Sequence, residues 1–279
     1  MVLPSVRGST LAHARARRSG HLSYAGLPPR CDRPPFDYDG AVPGGRVVHL
    51  LLAALLGCNS AADTPQIPDL RPASELKQGC YGWPEHEFAR GRELPRPRDT
   101  HVKAGDPAVD FTLKDVDGKP HRLADLLAER PVLLVEGSYT CNVFQSKLRD
   151  IKRLARMFKD DIHTVIVYNI EAHPKGDPSP YRGREWTFEY SDRGQPHNYA
   201  QRVKHARDID PGPDALLLVD ALEEGNANPF WCTYGSCPNC AFLVNQDGRI
   251  EAVHDWFDGR TMKGSIQALL QRERAREQG

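Results

Sequence analysis

The sequence of 279 residues has no net charge, no apolar run long enough to span a membrane and no second Cys-x-x-Cys motif. Its 37 Lys and Arg are balanced by 37 Asp and Glu, which gives no electrostatic basis for binding nucleic acid. The apolar stretch after Arg46 is about ten residues long, too short to span a bilayer. A single Cys-x-x-Cys, at 237–240, lacks the second pair that a zinc ribbon needs.

Residues 1–46 differ in composition from the rest of the chain. They contain seven Arg and three Asp but no Lys and no Glu, with many Gly and Pro and no apolar periodicity. We interpret them as disordered, or as an extension that is not part of the natural protein.

A short apolar segment ends in a cysteine at residues 47–58. Its length suits a secretory h-region, and Leu55-Leu56-Gly57-Cys58 resembles the lipobox of bacterial lipoproteins. We therefore expect translation to begin near Val42 or Val47. The mature protein would be exported and anchored to a membrane through lipidated Cys58, facing the periplasm or cell exterior. The alternative is a buried helix with an incidental cysteine.

Residues 59–104 are rich in Pro and charge and are predicted to be a linker, with local packing around Cys80, whose partner stays open. A folded domain is predicted at 105–272, followed by a charged tail at 273–279. Apolar runs in this domain predict three buried strands: 132–136, 163–168 and 215–219.

An apolar repeat with spacings of four and three predicts a helix over about 142–159. Strand, helix and strand in this order form a parallel βαβ unit. A hairpin at 241–253 and a final amphipathic helix follow. This order predicts an α/β, thioredoxin-like fold of three layers, with a mixed central sheet and a long insertion at 172–195.

Cys141 lies where a predicted strand meets the predicted helix, in Gly137-Ser-Tyr-Thr-Cys141-Asn-Val-Phe144. Unpaired backbone N–H groups and the helix dipole at this point favour the thiolate, which is the nucleophilic form. Phe144 and Gln145 stand where dithiol oxidoreductases and copper sites carry a second cysteine, so a redox partner must lie elsewhere. The alternative is a small buried apolar side chain.

Three motifs of the segment Gly105–Leu270 together resemble the iodothyronine deiodinase-like branch of the thioredoxin-fold superfamily. They are the Cys141 motif, Val167-Tyr-Asn-Ile-Glu-Ala-His173-Pro174, and Tyr234-Gly-Ser-Cys-Pro238. The resemblance implies that Cys141 stands in place of the selenocysteine of animal deiodinases, with His173 and Glu171 as the matching catalytic residues. Asn142 and Val143 stand where the animal enzymes usually have prolines.

Pro238 occupies the position of the cis-proline that lies against the active cysteine in thioredoxin-like folds. We therefore expect Cys237, which precedes it, to face Cys141 and to form a disulfide with it or resolve it. Two alternatives stay open: a local Cys237–Cys240 disulfide, and a pair between Cys232 and either of these cysteines.

Four residues near the predicted site are candidates for substrate binding: Thr140, Tyr181, Trp186 and Tyr234. The aromatic side chains either form a wall for a planar substrate or pack the two long loops onto the sheet.

The sequence thus predicts a thiol-dependent, deiodinase-like oxidoreductase in which Cys141 attacks an electrophilic atom, His173 handles the proton and Glu171 orients the imidazole. Its substrate is a small molecule; no cofactor or metal is bound, and an external thiol or a thioredoxin-like protein is the reductant.

One rival is a peroxiredoxin-like peroxidase, although Leu134 and Ser138 break the usual Pro-x-x-x-Thr-x-x-Cys pattern. The other is a non-enzymatic metal carrier that uses Cys141, Cys237 and His173.

Overall fold

The computed structural model describes residues 65–80, 96–223 and 226–278. The predicted signal segment and the predicted lipidation site, Cys58, lie outside the described residues. Within these ranges, no helix has the length and apolar composition needed to cross a membrane.

The described strands and helices follow one another along the chain. The strands are β1 (Asp99–Thr100), β2 (Thr112–Asp115), β3 (Pro120–Arg122), β4 (Val132–Gly137), β5 (His163–Tyr168), β6 (Ala215–Val219), β7 (Leu222–Glu223), β8 (Asn226–Ala227), β9 (Gly235–Ser236), β10 (Ala241–Val244) and β11 (Ile250–His254). The helices are α1 (Leu123–Glu129), α2 (Asn142–Met157), α3 (Tyr199–Ala206), α4 (Pro229–Tyr234) and α5 (Gly259–Glu277).

Seven strands form a mixed sheet in the order β11-β10-β4-β5-β6-β2-β3. The three central strands, β4, β5 and β6, run parallel, while β10 and β2 flank them in the antiparallel direction. The parallel strands are β-branched and leucine-rich because both of their faces are covered. Their carboxyl ends meet at one edge of the sheet, where polar residues follow.

Helices cover both faces of this sheet. Helices α2, α3 and α5 pack on one face, where Phe144 and Ile266 are fully buried. Helices α1 and α4 pack on the other face, with Leu123 and Phe230 in its core. We call these the α2 face and the α1 face. The arrangement confirms the predicted three-layer, thioredoxin-like fold.

Most of the predicted elements of the domain are present. The helix predicted over 142–159 is α2, the predicted hairpin is β10–β11, and the segment 172–195 contains neither helix nor strand. Helix α1 was not predicted, and the predicted loop 221–240 contains α4 and three short strands.

Several of the described residues of the predicted linker pack against the domain, beyond the local packing expected around Cys80. The Asp69 N–H donates to the Asp247 carbonyl at 2.8 Å, Arg71 forms a parallel bridge with Val109, and Cys80 is joined to Cys232. These contacts are made by the backbone and by one disulfide, which side-chain periodicity does not reveal. Helix α5 also continues through most of the predicted tail, because helix-favouring Arg, Glu and Ala follow its last apolar residues.

Gly137 leaves no room for a side chain where β4 passes beneath α2. A Cβ atom added there would lie 2.8 Å from Cζ of Phe144 and 3.1 Å from Cγ2 of Ile166. Both neighbours are fully buried. We therefore expect Gly137→Ala to lower the free energy of unfolding by about 1–3 kcal/mol, measured by urea denaturation.

The matched control is Gly264→Ala in α5, where an added Cβ meets nothing within 4 Å. This substitution should raise the free energy of unfolding by about 0.5–1 kcal/mol, because alanine favours the helix. Equal effects at the two positions would contradict the close approach of α2 to β4.

Candidate active site

Cys141 is the N-cap residue of α2, as the sequence predicted. Its Sγ accepts a hydrogen bond from the backbone N–H of Phe144 at 3.5 Å. Residues 138–140 form the turn that connects the carboxyl end of β4 to this cysteine. The position of the sulfur is therefore set by the end of a central strand and by the start of a long helix.

The Cys141 thiol is buried, with only 1% of the residue exposed. Burial raises its pKa to about 11; hydrogen bonds from Phe144 and Val143 oppose this rise, and the charge of Glu171 adds to it. The predicted stabilisation of a thiolate is therefore wrong for this conformation, in which the thiol is neutral at pH 7. The helix terminus does not compensate for the removal of the charge from water.

Glu171 follows β5 and is the centre of a buried hydrogen-bond network. Its carboxylate accepts from the backbone N–H and the hydroxyl of Thr140, both at 2.8 Å, and from the Ser138 hydroxyl at 3.2 Å. The Tyr168 hydroxyl also donates to it, and Nδ1 of His205 lies 3.6 Å away. Burial raises the pKa of Glu171, but the contacts with His205, Tyr168 and Thr140 outweigh burial and lower the pKa overall. Glu171 is thus an ionised carboxylate at neutral pH.

The loops after β4 and β5 are also joined through backbone groups. The Ala172 N–H donates to the Ser138 hydroxyl at 2.8 Å, and the His173 N–H donates to Oγ1 of Thr140 at 2.9 Å. The side-chain amide of Gln195 fixes the backbone of Glu171, accepting from its N–H at 3.0 Å and donating to its carbonyl at 2.6 Å. The turn before Cys141 is therefore held by the chain that carries His173.

The His173 ring is oriented by a carbonyl and by two aromatic rings. Its Nδ1 lies 3.1 Å from the Trp186 carbonyl oxygen, so Nδ1 carries the proton and Nε2 keeps a lone pair. The rings of Trp186 and Phe188 meet it edge-on, with centroids 4.5 Å and 4.6 Å away. Burial lowers the pKa of His173 to about 4, against the opposing effects of the Trp186 hydrogen bond and the Glu171 charge. The imidazole is neutral at pH 7.

The predicted role of Glu171 in orienting the imidazole is wrong. Its carboxylate binds the turn before Cys141, whereas the carbonyl of Trp186 binds the ring of His173. Among the hydrogen bonds of the described residues, none joins the Cys141 thiol to the His173 ring. The connection between them runs through Thr140, which precedes Cys141 and accepts from the backbone of His173.

The four candidates for substrate binding are divided between the two faces of the sheet. Thr140 and Trp186 contact His173, and Tyr181 is buried in the same core as Cys141. Tyr234 is instead in the core of the α1 face, where its ring stacks on Phe230 at 4.5 Å. Its assignment to the site was wrong because the loop that carries it folds beneath the opposite face.

The expected pairing of Cys141 with Cys237 is also wrong. Cys237 forms a disulfide with Cys240, with Cα atoms 5.6 Å apart, and Cys141 is a free thiol. Cys141 packs in the core of the α2 face, whereas Cys237 and Cys240 pack in that of the α1 face. The local disulfide, one of the open alternatives, is the one observed. Pro238 lies within this closed loop, and its cis bond stays a prediction.

Cys232 pairs with Cys80, with Cα atoms 5.7 Å apart, and not with Cys237 or Cys240. The ligand set of Cys141, Cys237 and His173 is not assembled, because Cys237 is oxidised and packs on the opposite face from Cys141. In the described ranges, no group of three or more His, Cys, Asp or Glu side chains is arranged to hold a metal ion.

Sequence reasoning missed several residues of the network: Ser138, Tyr168, Phe188, Gln195 and His205. Ser138 and Tyr168 lie inside two of the motifs that carry the resemblance, and their positions at strand ends were the available signal. Gln195 and His205 come from a loop and from α3, where no spacing marks them. Phe188 is 42% exposed, an uncommon environment for a phenylalanine that contacts a buried histidine.

The burial of Cys141 predicts a slow and strongly pH-dependent alkylation. Between pH 6 and pH 10 its rate constant with iodoacetamide should rise about tenfold per pH unit without a plateau, because only the thiolate reacts. Mass spectrometry of the Cys141 peptide measures the rate. Urea-unfolded protein is the control and should level off near a pKa of about 8.5. A plateau near pH 7 in the folded protein would contradict the raised pKa.

Replacing Glu171 by glutamine should destabilise the fold in a pH-dependent way. A lowered pKa means that the carboxylate stabilises the fold above its ordinary value of 4.5 and that this contribution is lost as pH falls through the folded value. Glu171→Gln should therefore reduce the free energy of unfolding by about 1–3 kcal/mol at pH 7. The difference should shrink below pH 4.5.

Urea denaturation at several pH values measures both effects, with the exposed Glu189→Gln as the control. The control should differ little from the original protein at any pH, since Glu189 lies on the surface. A Glu171→Gln effect that does not change with pH would contradict the ionised carboxylate.

The chain is similar to known proteins over the segment that carries this site. The family model described as iodothyronine deiodinase matches residues 97–254, more than half of the chain. Chicken thyroxine 5-deiodinase is 28% identical over 162 residues, which cover 56% of this chain and 57% of the relative. The sheep thyroxine 5-deiodinase is 24% identical and covers 50% of this chain and 46% of the relative. The match thus spans about half the length of these curated relatives.

Two solved structures of bacterial proteins also match part of the chain. The pneumococcal exposed lipoprotein thioredoxin of Streptococcus pneumoniae is 20% identical, with a TM-score of 0.41, and the match covers 57% of this chain and 99% of that one. A peroxidoxin of Mycobacterium tuberculosis is also 20% identical, with a TM-score of 0.38, and the match covers 62% of this chain and 98% of that one.

Proposed function

The chain belongs to the iodothyronine deiodinase family, and from this premise we propose that it catalyses the reductive dehalogenation of an aromatic small molecule at Cys141. Thiol redox chemistry is the part of this function that the family membership supports directly. The main structural support is that Cys141, at the start of α2, is held by the same buried network that holds the backbone of His173.

In this proposal, Cys141 ionises when water and substrate gain access to its thiol. In the structure the pKa of the Cys141 thiol is about 11 and that of His173, the proposed base, is about 4, so the imidazole is a poor base for this thiol. Burial is the main cause of both shifts, and it acts in opposite directions on an acid and on a base. Movement of the segment 172–195 that hydrates the site lowers the pKa of Cys141 and raises that of His173. Opening for substrate therefore favours proton transfer from the thiol to Nε2.

The reaction then balances without a bound cofactor. The Cys141 thiolate attacks the iodine of an iodoarene, the carbon–iodine bond breaks, and its electron pair stays on the ring carbon. The imidazolium of His173 delivers the proton taken from Cys141 to that carbon. A thiolate of an external dithiol attacks the sulfur of the resulting sulfenyl iodide and releases iodide. The second thiol of the reductant then displaces Cys141 and closes the external disulfide.

The rings beside His173 suit a planar, negatively charged substrate. Trp186 and Phe188 meet at a centroid distance of 5.2 Å and flank the imidazole. The guanidinium of Arg182 lies 4.7 Å from the centroid of the Trp186 ring and is exposed. Aromatic rings with an exposed cation over one of them favour a phenolate or an aromatic carboxylate.

An external reductant follows from the pairing of the other cysteines. Cys80, Cys232, Cys237 and Cys240 are all disulfide-bonded, so the described part of the chain offers Cys141 no thiol to resolve it. A small dithiol or a thioredoxin-like protein fills this role in the proposal. The two disulfides also support the proposed export, since such bonds persist outside a reducing cytosol.

The test is the release of iodide from an iodinated phenol in the presence of dithiothreitol. Cys141→Ser should abolish release, and His173→Ala should slow it by about 10²–10⁴-fold, because a positioned acid–base group contributes that much. His197→Ala, an exposed histidine at the other end of the loop, is the control and should keep the original rate.

Undiminished release in Cys141→Ser would refute the proposal. Cys141-dependent consumption of peroxide without iodide release would instead indicate a thiol peroxidase.

A further inference from the structure

A second buried carboxyl group lies at the same edge of the sheet. Along β4, Val132 and Leu134 point into the core of the α1 face, and the alternation of a strand places Glu136 on that face too. Cys237 and Cys240 belong to this core. Glu136 is therefore on the opposite side of the sheet from Cys141.

Glu136 is bound to one end of the Cys-Pro-Asn-Cys loop and lies near the other. Its backbone N–H donates to the Cys240 carbonyl at 2.8 Å, which continues the pairing of β4 with β10. The backbone of Cys237 is near enough to its carboxyl group to oppose the rise in the pKa of Glu136. The acid thus lies alongside the disulfide loop, and the position of each is set by the other.

The polar atoms around this loop are incompletely satisfied. In the described residues, Oε1 of Glu136, Oδ1 of Asn169 and both amide atoms of Asn239 are buried without a hydrogen-bond partner. Asn239 lies inside the disulfide loop, and the amide of Asn169 donates to the other oxygen of Glu136 at a long 3.4 Å. A purely structural disulfide needs none of these groups, and leaving them unpaired is unfavourable.

The surroundings keep Glu136 protonated. Burial raises its pKa well above the ordinary value of 4.5, and the charge of Asp220 adds to the rise, against hydrogen bonds from Asn169 and Cys237. Asp220 follows β6 and accepts three backbone N–H bonds, including those of Phe230 and Trp231. The Arg202 guanidinium, from α3, acts on Asp220 and binds its carbonyl. Asp220 is thus the charged group that acts on Glu136, and Arg202 acts in turn on Asp220.

We propose that Cys237–Cys240 is a second thiol–disulfide exchange centre, which takes electrons from an external dithiol and uses Glu136 as its proton donor. The centre works on the α1 face and does not require Cys141. It goes beyond the proposed dehalogenation, which uses the α2 face.

The exchange is balanced in electrons and protons. A thiolate of the external dithiol attacks one sulfur of the disulfide, the sulfur–sulfur bond breaks, and the leaving cysteine thiolate takes the proton of Glu136. The second external thiol attacks the mixed disulfide, which releases the other cysteine and closes the external disulfide. The proton of the second external thiol goes to the leaving cysteine, and Glu136 regains from solvent the proton that the first external thiol lost when it ionised. Two electrons and two protons thus pass from the dithiol to Cys237 and Cys240.

Only a thin cover separates this disulfide from solvent. The Asp99 carbonyl lies 3.7 Å from Sγ of Cys237, and the Asp255 carbonyl lies 3.2 Å from Sγ of Cys240. Asp99 belongs to β1, which pairs with β9 over two residues. Arg98, next to Asp99, forms a surface ion pair of 3.9 Å with Asp255, and both side chains are more than half exposed. Such a pair contributes little, so local opening is inexpensive.

The experiment compares the two disulfides of the full chain in a Cys141→Ser background. Protein is mixed with dithiothreitol at pH 5–9, quenched with acid, alkylated and mapped by mass spectrometry. Cys237–Cys240 should be reduced at least about tenfold faster than Cys80–Cys232. Its rate per dithiothreitol thiolate should fall as pH rises and Glu136 loses its proton.

Glu136→Gln should slow reduction of Cys237–Cys240 by about tenfold or more at the acid end and remove the pH dependence, because glutamine cannot transfer a proton. The control Glu129→Gln changes an exposed carboxylate at the end of α1 and should leave the profile intact.

Two results would overturn the proposal: equal reduction rates for the two disulfides, or a profile unchanged by Glu136→Gln. The first comparison needs no substitution at Glu136, so it holds even if that variant does not fold. Neither result depends on iodide release, because Cys141 is absent throughout.

Discussion

The charge buried at Glu171 is the constraint on which the active-site edge depends. A fully buried carboxylate is tolerated only where donors surround it, and here Ser138, Thr140 and Tyr168 supply them. Ser138 and Thr140 belong to the turn after β4, whereas Glu171 itself follows β5. One charge therefore fixes two loops to each other and sets where α2 can begin. The parallel pairing of β4 and β5 makes this possible, since it brings both carboxyl ends to one edge.

Two opposing effects act on Cys141. Its place at the start of α2 offers N–H groups that favour a thiolate, and the hydrogen bond from Phe144 shows that one of them is used. Burial in the core of the α2 face has the larger effect and keeps the sulfur neutral. The same burial keeps His173 neutral. A buried, neutral thiol reacts slowly with oxidants and alkylating agents, because only an accessible thiolate reacts quickly.

The parts of this structure that the sequence could predict are those set by local pattern. The apolar runs of β4, β5 and β6 and the repeat in α2 follow from periodicity, and Cys141 at the N-cap follows from them. Burial of the sulfur could not be predicted, because it depends on a loop without periodicity. The pairing of Cys232 with Cys80 was equally hidden, since the two are 152 residues apart and Cys80 lies in a segment without pattern.

The misplacement of Cys237 and Tyr234 has a different physical origin. Both were assigned correctly to the segment before β10, but the face of the sheet on which a residue lies depends on the path of the chain there. In a strand, each further residue reverses the side. The segment forms β9, which pairs with β1 on the α1 face. The sequence of β1 lies in the predicted linker and has no pattern that predicts a strand. A sequence motif therefore predicts which strand a residue precedes better than it predicts the face of the sheet on which that residue lies.

The two buried carboxyl groups show how the number of donors sets a charge. Both Glu136 and Glu171 are completely buried, so desolvation favours the neutral acid in each case. Glu171 accepts four hydrogen bonds from Ser138, Thr140 and Tyr168, and its pKa falls. Burial and the charge of Asp220 raise the pKa of Glu136, whose carboxyl group accepts one long hydrogen bond in the described structure, from Asn169 at 3.4 Å. A single sheet edge therefore carries a fixed negative charge on the α2 face and an available proton on the α1 face. The first suits the positioning of a nucleophile, and the second suits the release of a thiolate from a disulfide.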